Sequence, residues 1–115
     1  MKHEGGCHCG KVRYSVETEL EPLIRCNCSH CQAKGFVLTF VDPSAFTLHQ
    51  GEDALSEYRF ASENIQHLFC SNCGVESFAR GKAPDGTSKI AINVHCLDGI
   101  DRFSLTPMDY PGRDK

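Results

Sequence analysis

Nowhere does this chain of 115 residues carry the ~20 successive apolar residues of a membrane span. Its opening stretch, MKHEGGCHCG, has no apolar run of the kind that directs secretion. Both absences lead us to expect a soluble, cytoplasmic protein with no membrane partner. A basic stripe is missing too, since 12 Lys and Arg are interspersed with 15 Asp and Glu for a net charge of −3. Nucleic acid is therefore not an expected partner, because no patch would meet its phosphates. Apolar residues never recur at helical spacing over a dozen positions, which removes long amphipathic helices from the expected fold. With no internal repeat and no low-complexity linker, the length is that of one domain, spanning residues 1–115.

The periodicity that is present belongs to strands. In KVRYSV, the apolar Val12, Tyr14 and Val16 alternate with Lys11, Arg13 and Ser15, one face buried and one wet. FVLTFV (36–41) is a nearly continuous run of β-formers that stops at Asp42-Pro43, a turn or one short helical turn. FTLHQG, ALSEYRFA, IQHLFC, VESFARG and KIAINVHCL follow, with the polar loop GKAPDGTSK between the last two. The expected class is all-β and mainly antiparallel. LTPMDYPGRDK, with two prolines, is expected to lie irregularly against the body and fray at its end.

Eight cysteines, about 7% of the chain, fall into tight groups: Cys7 and Cys9; Cys26, Cys28 and Cys31; Cys70 and Cys73; and Cys96 alone. Cysteines one residue apart rarely reach disulfide geometry, and a cytoplasmic chain keeps its thiols reduced. The grouping points to metal instead. CSNCG reads as a zinc knuckle, in which two intervening residues let both sulfurs face one ion and Gly74 supplies a positive-φ exit. A knuckle provides two of the four ligands a structural zinc takes. CHC offers two more, and CNCSHC offers three. Joining Cys7 and Cys9 to Cys70 and Cys73 closes a four-thiolate site. It leaves Cys26, Cys28 and Cys31 as three ligands from one loop, with the vacant fourth position of a catalytic zinc. On spacing alone the reverse partition is also possible, though it fills one site oddly. Zinc follows from ligand softness, and an all-thiol set can also hold iron.

Taken in order, GGCHCGKVRYSV, CNCSHC, FCSNCG and NVHCLDG resemble the glutathione-dependent formaldehyde-activating enzyme family, which includes centromere protein V-like proteins. The resemblance runs from Gly5 to about Asp101 and leaves 102–115 as a tail. It implies a β-tent fold with two zinc ions, a structural one on Cys7, Cys9, Cys70 and Cys73 and a catalytic one on Cys26, Cys28 and Cys31. The implied reaction joins glutathione to formaldehyde to give S-hydroxymethylglutathione, a carbon–sulfur lyase reaction read backwards.

Other polar residues have two readings each. His67 is a candidate proton shuttle for the catalytic site, or a hydrogen-bonded histidine on a strand face. His8 and His30 are expected to point away from the metals, because neighbours in an extended loop cannot easily face one ion. Cys96 is expected as a small buried residue, the alternative being a ligand near the second zinc. Glu76 either touches the catalytic site or faces water. Arg25, Lys34 and Arg59 are solvated by default, or else meet substrate carboxylates. The rival to an enzyme is a non-catalytic zinc module that binds a protein partner, with both ions fully ligated by the chain.

Overall fold

In the alternating segment around Tyr14, Val12, Tyr14 and Val16 are almost wholly buried as expected, but Ser15, expected on the wet face, is buried too, in a hydrogen bond with His49. The structure, a computed structural model, describes residues 1–59, 65–83 and 85–111. Phe60 and Ala61 of one expected strand, Pro84 of the polar loop and the tail end 112–115 lie outside the described residues. Among those described, β1 (Lys2–Gly6), β2 (Arg13–Glu17) and β5 (Phe46–Gln50) form a small antiparallel sheet in the order β1-β2-β5. The larger sheet contains β3 (Ile24–Cys26), β4 (Leu38–Val41), β6 (Leu55–Tyr58), β7 (Gln66–Cys70), β8 (Phe78–Lys82), β9 (Ser88–Asn93) and β10 (Met108–Tyr110). Their order is β10-β3-β4-β9-β8-β7-β6. The protein is all-β with one short helix, α1 (Ser29–Lys34).

Register decides which face of the large sheet is core. Thr39 pairs with Ile92, Val41 with Ile90, and Phe78 with both Ile92 and Leu68. These side chains share one face, and all are buried. They pack against the small sheet through a ring cluster: Tyr14, Phe46 and Phe78 lie with centroids 4.7–5.7 Å apart. Burying each large apolar side chain here is worth roughly 1.5–3 kcal/mol. The Tyr14 hydroxyl, deep in this layer, donates to the Ser77 carbonyl at 3.2 Å. The opposite face carries the in-register row Phe40, Ala91, Ala79, His67 and Tyr58. That face holds the candidate site.

Three features depart from the periodicity reading. Lys2–Gly6 is a strand although its sequence does not alternate, because Gly5 and Gly6 allow a close approach: a Cβ on Gly6 would sit 2.0 Å from the Val12 carbonyl oxygen. Ser29–Lys34 is helical rather than extended, capped by the Cys28 sulfur and ended by Gly35 at φ 70°. The tail is not irregular throughout, since Met108–Tyr110 runs parallel to β3, pairing Tyr110 with Cys26. Three residues bounded by Pro107 and Pro111 are too few to show a period, so only the partner edge reveals this strand.

Candidate metal centres and reactive site

The β1–β2 connection and the turn after β7 bring four sulfurs together. Cys7, Cys9, Cys70 and Cys73 place their Sγ atoms within 4.8 Å of one another. The Cys9 sulfur lies 3.6 Å from that of Cys7 and 3.7 Å from that of Cys70. A tetrahedron with Zn–S bonds of ~2.3 Å puts its sulfurs ~3.8 Å apart, so the donor set fits a tetrahedral ion. Backbone amides support the sulfurs: Val12 N–H donates to Cys7 Sγ at 3.3 Å and Asn72 N–H to Cys70 Sγ at 3.4 Å. Both hairpins leave through a positive-φ glycine after their second cysteine, Gly10 and Gly74. Burial pushes the Cys7 thiol up, whereas a hydrogen bond with the Asn72 side chain and the Lys11 amide bring Cys9 down to about 6.

Cys26 ends β3, Cys28 caps α1, and Cys31 lies inside it. Their sulfurs also fall within 4.8 Å of one another, and among the described residues no fourth Cys, His, Asp or Glu joins that group. Cys28 N–H donates to Cys26 Sγ, and Cys31 N–H to Cys28 Sγ, both at 3.4 Å. Burial pushes the Cys31 thiol well up. At Cys28 burial also acts upward, but the amides of Cys31 and His30, with the neighbouring thiols, outweigh it and lower the group. Cys96 stands in neither group, half-buried in the 3-10 turn Val94–Cys96 that follows β9, with its thiol pushed up to about 12 by burial.

A third cluster lies beside the trio. Glu76, whose side chain is only 2% exposed, meets His30 Nε2 with one carboxylate oxygen and His67 Nδ1 with the other, each at 3.0 Å. Lys34 Nζ is 3.9 Å from the same carboxylate. His30 therefore points inward, against the expectation. The expectation assumed an extended loop, where side chains alternate; in a helix His30 projects to a side of its own, here toward His67, with ring centroids 4.0 Å apart. His8 is exposed, and Arg59 pairs with Glu57. Glu76 was weighed from sequence; its bridging of two histidines was not, because one partner comes from a helix the periodicity did not show.

Two cavities flank the trio. One, of about 550 Å³, runs over the outer sheet face, with Cys26, Cys28, Cys31, His67 and Glu76 among its walls. The other, of about 690 Å³, lies on the far side of Cys26 and Cys31 and carries Arg25, Asn27, Gln32, His95 and Arg102. Arg25 pairs with Asp109, its register partner on β10, which ties the tail strand to the Cys26 loop. Arg102 escaped the sequence reading because it lies in the segment taken as tail.

Fold and site define a small antiparallel β protein with two cysteine clusters, each able to hold a metal ion, one of them opening onto cavities. A crystal structure of a Rhodobacter sphaeroides protein from a structural-genomics programme has this architecture. It matches at TM-score 0.82 and 27% identity over 92% of this chain and 97% of that one. The family described as glutathione-dependent formaldehyde-activating enzyme matches residues 2–109. The chain belongs to that family, which is associated with enzymatic activity on glutathione and formaldehyde. No helix among the described residues is long and apolar enough to cross a membrane.

Proposed function

We propose that this protein is a zinc-dependent enzyme that joins a small thiol to an aldehyde, with glutathione and formaldehyde as the leading pair. The observation that carries the reading is the trio. Three sulfurs converge without a fourth Cys, His, Asp or Glu among the described residues, between two cavities and beside a buried carboxylate–histidine pair. Cys7, Cys9, Cys70 and Cys73 would hold a structural ion and Cys26, Cys28 and Cys31 the reactive one. Bound at the trio, zinc would supply a Lewis-acidic centre that favours the thiolate or polarises a carbonyl.

The reaction is an addition. A carbon–sulfur bond forms, the C=O π bond opens, and the thiol proton ends on the oxygen. A proton must therefore leave sulfur and reach oxygen, and we assign its transfer to His67, which lines the cavity together with the trio and whose ring Glu76 holds through Nδ1. On the polar side, Arg102 suits a carboxylate of glutathione, while Arg25 is held by Asp109, which lines the same cavity.

Exchange spectroscopy by nuclear magnetic resonance on glutathione and formaldehyde tests this directly. The zinc-loaded protein should accelerate formation and breakdown of S-hydroxymethylglutathione, and Cys28→Ser should not. If zinc-loaded protein leaves the exchange rate unchanged with every thiol tried, the enzyme reading is wrong. Two sealed metal sites with no exchangeable ligand would then favour the partner-binding module.

A further inference from the structure

The two cavities that meet at the trio differ in chemistry. The polar one carries two arginines and two carboxamides. The other has a floor of Leu38, Phe40, Ala79 and Ala91. Phe40, Ala91 and Ala79 stand side by side in register across β4, β9 and β8. The two alanines give this face its depth, and Phe40, 48% exposed, forms an apolar wall. Asn93 stands at the trio end of β9 and Lys89 four residues away, a length of about 13 Å at strand rise. At that distant end Lys89 shares the face of Ala91 and pairs with Asp42 at 2.7 Å, whereas Lys82, opposite Ser88, belongs by register to the other face of the sheet with Phe78.

Formaldehyde, with a single carbon, would leave nearly all of this 550 Å³ space empty. Glutathione suits it poorly as well, because its amides and charges would lie against the apolar row of Leu38, Phe40, Ala79 and Ala91. We propose, building on the thiol–aldehyde reading, that the apolar cavity accepts the carbon body of the aldehyde. The acceptor is an aldehyde with an extended hydrophobic chain, while the hydrophilic thiol occupies the polar cavity. The reaction keeps its balance: sulfur bonds to the aldehyde carbon, the carbonyl oxygen takes the thiol proton, and a hemithioacetal results. The trio stands where the two cavities meet, and each reactant reaches it from the side that suits its polarity.

The test measures kcat/KM for hemithioacetal formation from glutathione with formaldehyde and with a series of straight-chain alkyl aldehydes of two to seven carbons. Burying one methylene is worth about fourfold in affinity, so preference over formaldehyde should climb about two- to fourfold per carbon until the cavity is filled. Ala91→Leu, which fills the floor, should bring the ratio of long-chain to formaldehyde turnover close to one. Phe40→Ala, which removes the wall, should lower the same ratio if the leucine variant fails to fold. Turnover of formaldehyde with no gain along the series, or a gain that survives in Ala91→Leu and Phe40→Ala, overturns the inference. No turnover of any aldehyde rejects instead the reading on which it rests.

Discussion

Replacing Cys70 by serine should cost far more stability than replacing Cys28, and the geometry says by how much. An ion held by the quartet cross-links chain segments 61 residues apart, from Cys9 to Cys70. An ion held by the trio spans separations of only 2 and 3 residues, Cys26 to Cys28 and Cys28 to Cys31. Loop-closure entropy scales as (3/2)RT ln n, so the two cross-links differ by about 2.2 kcal/mol. The full chain-entropy expression gives about 4.3 kcal/mol for the long loop, a large share of a domain's net ~5–15 kcal/mol. At about 2.1 cal/mol/K of unfolding entropy per residue, each kcal/mol moves Tm by about 4 °C in a chain this size.

Scanning calorimetry with fixed free zinc should therefore show Cys70→Ser melting about 18 °C below wild type, and Cys28→Ser about 9 °C less depressed than that. Cys70 is nearly inaccessible, so its serine also buries a hydroxyl worth about 1 kcal/mol. Repeating the scans after chelation isolates that part, since wild type and Cys70→Ser should then differ by it alone. If Cys28→Ser melts as low as Cys70→Ser, or chelation leaves wild-type Tm unchanged, the long-range clamp does not exist.

Glu76→Gln preserves shape and can still bond both histidines; turnover should fall by about 100-fold with KM and zinc content unchanged, and a smaller loss would remove the carboxylate from proton transfer. Thr39→Val should raise stability by about 1 kcal/mol in urea melts, because the Thr39 hydroxyl is buried with no partner among the described residues; a loss would mean that the hydroxyl is satisfied after all. Arg13 holds the Asp98 carboxyl below its usual range, so the stability from this pair is present above about pH 4 and lost only as pH falls through the lowered folded value. With side chains 34% and 58% exposed, Asp98→Asn should cost about 0.5–1 kcal/mol, constant from pH 6 to 8. A cost that changes across that window would contradict the assignment.

The sequence was legible wherever one residue's environment depends on its near neighbours. Val12, Tyr14 and Val16 announced the buried face of a strand, the turn at Asp42-Pro43 closed as a short 3-10 helix over Pro43–Ala45, and Gly74 took the positive φ that the knuckle needs. What stayed hidden depends on distant partners. β1 is a strand because two glycines let its backbone press against Val12, and β10 is a strand because β3 offers it an edge. The inward turn of His30 was hidden for a related reason. A six-residue helix shows too little period to be seen, yet its 100° steps decide which side chains share a direction.

The same contrast separates the two cysteine clusters. The quartet draws on residues some sixty positions apart, and its Cys7 and Cys70 are buried beside the core. An ion there gains from every constraint it places on the unfolded chain. The trio comes from one strand end and one helical turn, so an ion there would constrain little; Cys26 and Cys28 are partly exposed and line the cavity, while the Cys31 side chain is buried. A metal at the trio would contribute less to stability and, on the proposed reading, would keep a position that a small molecule can reach. Burying Glu76 against two histidines beside it is costly unless the arrangement serves the molecule that enters there. On the proposed reading, stability and reactivity fall to different sulfurs by one physical quantity, the length of chain each metal would close.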